Sequence, residues 1–463
     1  MKVSSVNELK SIVSTCADVA DQVTVTDAEA FRGAPIDRLV YNAVFAGSKE
    51  VRGTARWMIK SAGLSLGVWS ASIQGLYEAM GRGDVRGYTV PAVNIRGMSY
   101  DVARALVRAA IKNGAGAFIF EIARSEIDYT YQRPAEYVAV MLASAIKEGH
   151  AGPLFIQGDH FQVNAKKYGE DPEKEVSGLK ELIGEAVGAG FYNIDIDTST
   201  LVDLSRPELM EQQRLNYEVG AELTAHVRSV EPAGVTVSVG GEIGEVGEKN
   251  STVQELEAYM DGYLGAIKKR GIEKGISKVS VQTGTSHGGV PLPDGSIAKV
   301  ALDFDTLDKL GETARVKYGI SGAVQHGAST LPDEMFDRFP DVNTSEIHLA
   351  TGFQNMTYDS KNFPADLRDR IYKGLHEKFG SEKKEGQTEE QFIYKTRKKG
   401  FGLAKEEIWT LPEDTRRAIG AELEAKFDLL FKKLNAVNNV GDVKTYLNSA
   451  RIAPDPSHEV AGA

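Results

Sequence analysis

Three of the chain's eight histidines directly follow short apolar runs and stand beside an acid, a hydroxyl or glycines: Gly158-Asp159-His160, Gly284-Thr285-Ser286-His287-Gly288-Gly289 and His326-Gly327-Ala328-Ser329. Three neutral imidazoles that leave a fourth position open make a catalytic zinc site. The single cysteine, Cys16, provides no thiolate cage and no internal disulfide, so a metal here must rely on imidazole and carboxylate. Carboxylates stand at equivalent places, Asp195 and Asp197 near the end of one run and Glu242 after Gly240-Gly241 in another. Glycines flanking His287 and His326 permit close backbone approach and leave amide N–H groups free to receive a phosphate. Each histidine alone reads more readily as a satisfied rim residue, and each glycine pair as an ordinary turn. Their shared placement at the ends of apolar runs favours chemistry. The remaining histidines, 150, 226, 348, 376 and 458, fall mostly in helical stretches or tails, although His348 closes an apolar run.

The elements that must carry these groups alternate between β-rich runs and helical patterns from Gly87 to about Gly352, the signature of repeated βα units around a parallel sheet. Strands are expected at Tyr88–Asn94, Ala117–Ile122, Leu154–Gln157, Tyr192–Ile196, Val235–Val239, Lys278–Val281, Gly319–Val324 and Glu346–Leu349. Helices are expected at Asp101–Lys112, Ala135–Lys147, Glu175–Gly188, Glu208–Val230, Thr252–Arg270 and Phe304–Tyr318. An open doubly wound sheet would give the same alternation, but a set of eight strands favours a closed (β/α)8 TIM barrel. In such a barrel the catalytic groups project from the carboxyl ends of the strands, where the motifs above lie. The organisation expected is an N-terminal helical extension over residues 1–86, a catalytic barrel over 87–358 and a C-terminal helical extension and tail over 359–463. Residues 377–399 read as a solvated charged stretch, Thr415–Asn435 as an amphipathic helix suited to oligomer contacts, and Ala453–Ala463 as a frayed tail.

Bulk properties narrow the function classes. The 463 residues are 42% hydrophobic and 26% charged, ordinary for a globular protein, and no apolar run reaches membrane-spanning length. A formal net charge of −11 repels a phosphate backbone and argues against general nucleic-acid binding, while a local basic pocket for a small phosphate stays open. Residues 1–10 lack an apolar signal region, which with the lone cysteine suggests a cytoplasmic protein. No Gly-Lys dipeptide occurs, so a Walker A lysine is absent.

Taken in order, the motifs resemble those of the class II ketose-bisphosphate aldolases, especially the tagatose-bisphosphate branch, over roughly Tyr88–Gly352. Asp159-His160 is similar to the family's Asp-His pair and Ile196-Asp197-Thr198-Ser199 to its Ile-Asp-x-Ser stretch. Gly241-Glu242-Ile243-Gly244 resembles its Glu-Leu-Gly turn, residues 284–288 its Gly-Thr-x-His-Gly, and residues 326–329 its His-Gly-Ala-Ser. The resemblance implies His160, His287 and His326 as ligands of Zn2+ or another divalent metal, with Asp197 and Glu242 supporting alternative metal positions. It implies Asp159 as the catalytic acid, and Gly288, Gly327, Ala328 and Ser329 as a cradle for the phosphate of dihydroxyacetone phosphate, with a monovalent cation nearby. Asn94 fits the family's first-strand asparagine. Ala350 and Thr351 fall in its last substrate-binding motif, where His348 replaces the usual asparagine. Glu248 lies one residue out of register with the acidic cluster that supplies the enolising base, and reads as that base or as an exposed loop carboxylate. Arg96 and Arg124 are candidates for the far phosphate.

The implied activity is reversible aldol cleavage of fructose 1,6-bisphosphate or a close relative, by a homo-oligomer with a small phosphosugar as its partner. Rival readings are a metal enzyme for another phosphosugar, a Schiff-base aldolase and a barrel without activity. The Schiff-base route needs an inward lysine near a strand end, and Lys278 lies at the opposite end of its strand.

Overall fold

The structure, a computed structural model, describes residues 2–244, 249–284, 292 and 302–463. A small antiparallel hairpin, β1 (Ala17–Val19) with β2 (Val23–Val25), sits near the start of the chain. It is followed by β3 (Val68–Ala71) and then by β4 (Val90–Asn94), β5 (Ile119–Ala123), β6 (Gly152–Gln162), β7 (Asn193–Asp197), β8 (Ser238–Glu242), β9 (Lys278–Val281), β10 (Ala323–Gln325) and β11 (Glu346–Leu349). Strands β4 to β11 pair in parallel around a ring that closes where β11 meets β4 and β6 meets β7. This is the (β/α)8 barrel expected from the alternation.

Strand composition explains both faces of the wall. In β7, Ile194 and Ile196 join the main apolar core beneath the surrounding helices, while Asp195 between them points the other way, to the Lys278 ammonium. The same alternation puts Glu346 and His348 of β11 inside and Ile347 and Leu349 outside. A second apolar cluster fills the base of the barrel. Here Trp69, Ala71, Ile73, Leu76, Tyr77 and Met80, which precede the first barrel strand, pack against Val90, Ala92, Ile119 and Phe155.

Strand β3 escaped the sequence reading. It pairs with Gly152–Phe155 at the start of β6, and because Phe155 also pairs with Ile119 of β5, β3 must take the edge of β6 that β7 occupies further along. Asn193 ties this wedge together, donating to Ala71 O and Ile156 O and accepting from the Ile73 N–H. Strand β8 runs three residues later than expected, because Gly240, Gly241 and Glu242 continue the ladder against Lys278, Val279 and Ser280. Strand β10 begins late because Gly319, at φ 69°, is the left-handed cap of the helix Phe304–Tyr318.

The C-terminal segment is tightly integrated. Helix Glu413–Lys433 lies along helix Ser99–Lys112, and Arg416 donates to both oxygens of Asp101 at 2.9 and 3.1 Å. The last residues, expected to fray, instead form helix Pro456–Ala461 against Lys49–Ser65. There Glu459, 3% exposed, pairs with the buried Lys60 ammonium, and a Cβ on Gly53 would come within 2.4 Å of the Val460 backbone. No helix among the described residues is long and apolar enough to cross a membrane.

Candidate active site

A cavity of about 1180 Å3 opens at the carboxyl ends of the barrel strands and is lined by Asp159, His160, Asp197, Glu242, His326, Gly327, Ser329, His348, Ala350 and Thr351. Candidates from five different strand ends therefore meet in one space. His287, Gly288 and Glu248 lie outside the described residues.

His160 reaches the mouth through a local departure from regular β structure. The register of β6 against β7 shifts between Gly158 and Phe161, and His160 takes a left-handed φ of 40°. Such bulges re-aim a side chain, and a non-glycine residue held there stores strain of order 1–3 kcal/mol. Gly158 makes the bulge possible, since a Cβ there would stand 2.5 Å from the Phe161 ring. Asp197 Oδ2 meets His160 Nδ1 at 3.2 Å, and its Oδ1 accepts from the Ser199 N–H and hydroxyl at 3.0 and 2.7 Å. Although buried, the Asp197 carboxyl is thereby held below its ordinary range, chiefly by the His160 and Ser199 contacts.

His326 follows β10. Its ring centroid lies 4.2 Å from that of His160 and 3.9 Å from that of His348, and its Nε2 is 2.9 Å from Ser280 Oγ and 3.5 Å from Glu242 Oε2. Donor atoms of His160, Glu242 and His326 all lie within 4.8 Å of one another. The triads Asp159–His326–His348 and Glu121–Glu346–His348 meet the same limit. Two imidazoles and a carboxylate are a donor set that suits zinc and similar divalent ions. The local potential agrees. Burial disfavours the His160 imidazolium, but Asp159, Asp197 and Glu242 outweigh it and hold its pKa well above the usual histidine range. A field that attracts a proton so strongly also attracts a metal cation.

His348 lines the cavity and is also tied into an acidic cluster in the barrel interior. Its Nδ1 is 2.9 Å from Glu121 and 3.2 Å from Asp159, and its Nε2 is 2.7 Å from Glu346. Beneath it Lys278, 1% exposed, donates to Gln157 at 2.8 Å and to Glu346 at 2.5 Å and lies 3.0 Å from Asp195. Burial pushes the Glu121 carboxyl up to about 8 and that of Asp195 up to about 6. Lys278 is absent from the cavity wall, which removes it from reach of a substrate carbonyl. Glu121 and Glu346 were missed by the sequence reading, which weighed Lys278 only as a Schiff-base lysine. The signal was present, since each is a charged residue alternating with apolar ones at an inward-facing position of a short strand.

Around the mouth, Asn94 and the Arg96 guanidinium both donate to Glu126, and Arg96 also reaches Gln354 at 2.8 Å and Thr351 at 3.4 Å. Arg124 is engaged by Glu175 and the Gln162 carbonyl. Gly327, at φ 69°, opens a short turn through Ala328 and Ser329, and Ser329 Oγ accepts from the Gly352 N–H at 3.1 Å. Ala350 stands at the N-terminus of helix Thr351–Asp359.

These features describe a barrel enzyme whose mouth combines a divalent-cation donor set with glycine-bearing turns. The chain belongs to the class II fructose-bisphosphate aldolase family, whose model matches residues 76–409. It is therefore an aldolase, a carbon–carbon lyase of a metal-dependent class. Among solved structures, the fructose-bisphosphate aldolase of Campylobacter jejuni is similar at 16% identity and a TM-score of 0.47, covering 80% of this chain and 96% of that one. The YdjI aldolase of Escherichia coli K12 is similar at 15% identity and a TM-score of 0.42, covering 74% and 99%. No curated protein matches the sequence.

Proposed function

We propose that the protein catalyses the reversible cleavage of fructose 1,6-bisphosphate, or a close ketose bisphosphate, to dihydroxyacetone phosphate and an aldehyde phosphate, with Zn2+ as its metal. The observation that carries this reading is the convergence of His160, Glu242 and His326 beside Asp159, with the Gly327–Ser329 turn lining the same cavity. His287 is proposed to complete the ligand set.

When bound, a divalent ion supplies Lewis acidity toward the substrate's carbonyl and adjacent hydroxyl oxygens. The chain's own residues do the rest. In the cleavage direction Asp159 takes the proton of the C4 hydroxyl as the C3–C4 bond breaks, and the electron pair stays with the donor half. In condensation Asp159 returns that proton to the aldehyde oxygen, while Glu248 is proposed to remove the proton from C3. Asp197 fixes His160 through Nδ1 and so turns Nε2 toward the cavity, the arrangement that metal-binding histidines commonly need. The turn at Gly327, Ala328 and Ser329, with Gly288, is proposed to hold the donor phosphate through backbone N–H groups, a monovalent cation alongside. Asn94, His348, Ala350 and Thr351 would bound the substrate on the β4 and β11 side.

The test is a coupled assay for triose phosphate release with fructose, tagatose and sorbose 1,6-bisphosphates, repeated after chelation and after return of zinc. The proposal expects cleavage of at least one of these that disappears with chelator and returns with zinc. Activity that survives chelation, or no cleavage of any ketose bisphosphate by zinc-loaded protein, overturns it.

A further inference from the structure

His348 joins two parts of the molecule that the sheet keeps apart. It belongs to β11 and Asp159 to β6, and in the barrel wall β4 and β5 stand between those two strands. The side chains meet instead across the interior, where His348 Nδ1 lies 3.2 Å from Asp159 Oδ1. Asp159 is 6% exposed and His348 4%, yet both line the cavity. The contact therefore sits at the boundary between the buried interior and the space a substrate would enter.

The imidazole has little freedom to turn. Its Nε2 lies 2.7 Å from Glu346 Oε1, and Glu346 is itself fixed by the Lys278 ammonium at 2.5 Å, by the Gln157 amide at 2.9 Å and by the Tyr77 hydroxyl. Glu121 Oε2 stands 2.9 Å from Nδ1 on the β5 side, and the His326 ring lies against the imidazole with centroids 3.9 Å apart. Lys278, Glu346, His348 and Asp159 thus form a column of alternating basic and acidic groups that rises from the interior to the cavity wall. Such buried ionic groups add little net stability over apolar residues of the same volume. What they impose is geometry. A carboxylate gripped on one oxygen keeps one plane, and a group that exchanges a proton in a reaction must be held within about 0.5 Å of its working position.

We propose that His348 is a positioning residue for Asp159: anchored on Glu346 through Nε2, it grips one carboxylate oxygen of Asp159 through Nδ1 and so sets where the other meets the reacting hydroxyl. This rests on the aldolase reading, in which Asp159 exchanges a proton with the C4 oxygen. The role belongs to the bond-breaking half of the reaction alone. Removal of the C3 proton from the donor half relies on a different base, for which Glu248 is proposed, and needs no help from Asp159.

The experiment compares wild type with His348→Asn and His348→Gln, all zinc-loaded. An asparagine carries its amide where Nδ1 stood and lacks Nε2, whereas a glutamine reaches Glu346 as Nε2 did and lacks Nδ1. With fructose, tagatose and sorbose 1,6-bisphosphates, kcat for cleavage should be about 100-fold lower in His348→Gln with KM little changed, the cost of a displaced catalytic group, and largely restored in His348→Asn. Exchange of the C3 proton of dihydroxyacetone phosphate with deuterium from solvent, followed by NMR, should fall far less than cleavage in His348→Gln. An equal fall in both reactions, which marks contact with the donor half or the metal, overturns the proposal, and so do equal cleavage rates in the two variants. Crystal structures of the same zinc-loaded proteins separate this from the aldolase reading. The Asp159 carboxylate should keep its wild-type plane in His348→Asn and leave it in His348→Gln. If wild type cleaves none of the three sugars, the aldolase reading falls while a turned Asp159 still upholds the positioning role. An Asp159 that stays in place in His348→Gln removes it.

Discussion

Replacing Lys278 by methionine keeps most of the stem volume but deletes the ammonium from the centre of the barrel. The side chain is 1% exposed, and its Nζ stands 3.0 Å from Asp195 and 2.5 Å from Glu346. At an effective dielectric of about 20, one such contact at 3 Å is worth roughly 5 kcal/mol of attraction, most of which offsets the cost of removing the charges from water. Taking away one partner strands the others, and measured losses for broken buried pairs are about 3–5 kcal/mol. With two carboxylates left behind, Lys278→Met should fall in the upper half of that range. Burial alone would depress the Lys278 pKa, but Asp195 and Glu346 raise it above the ordinary lysine value. Its stabilisation is therefore complete below the unfolded-state pKa and is lost only as pH rises through the higher folded value, so pH 7 is a suitable condition. Urea unfolding followed by circular dichroism and tryptophan fluorescence should show a clearly lower midpoint. The double variant Lys278→Met/Glu346→Gln should recover a substantial part of the loss. An unchanged midpoint in the single variant, or a further drop in the double variant, would refute the view that this lysine neutralises the acidic interior.

Glu121→Gln tests the same interior through pH. Because burial raises the Glu121 pKa from 4.5 to about 8, the folded chain keeps a proton that the unfolded chain releases, and stability should fall as pH rises across that window. The variant should show a flatter dependence in metal-free protein, and parallel curves would count against the assignment. Asp197→Asn should weaken metal binding about 10- to 100-fold in a competition titration with a chromogenic chelator, since it loosens the orientation of His160. An unaltered affinity would mean that His160 needs no such support. Glu459→Gln should cost about 3–5 kcal/mol by leaving the Lys60 ammonium buried without its counter-charge, and should expose the last residues to carboxypeptidase. Resistance equal to wild type would contradict the docked tail.

Strand positions were readable because βα units repeat one pattern, an apolar run followed by polar residues and a helix. Lys278–Val281 and Glu346–Leu349 were placed to the residue for that reason. What composition could not convey was pairing between distant segments. Val68–Ala71 is too short to announce itself, and it is a strand because the first residues of β6 extend beyond their pairing with β7. Similarly, β6 was expected to end at Gln157 but continues to Gln162, since the bulge at Gly158–Phe161 lets pairing resume beyond His160. The tail was misjudged because its prolines and small residues favour fraying locally, whereas the buried Lys60–Glu459 pair, the Arg56 bond to the Gly462 carbonyl and the close packing on Gly53 hold it down. At the mouth, residues on four separate motifs, those of Asp159, Asp197, Glu242 and His326, could be named from their order in the sequence, while the motif at residues 284–288 falls almost wholly outside the described residues. The engagement of His348 by buried carboxylates could not, because it depends on Glu121 and Glu346 facing inward from strands β5 and β11.

The account turns on which side chains share the metal. Anomalous diffraction at the zinc edge, from crystals of zinc-loaded protein, measures this directly. A single strong peak about 2.1 Å from an imidazole nitrogen of both His160 and His326 is the result expected. A peak held instead by Glu121, Glu346 and His348, with His160 and His326 turned away from it, would contradict the account.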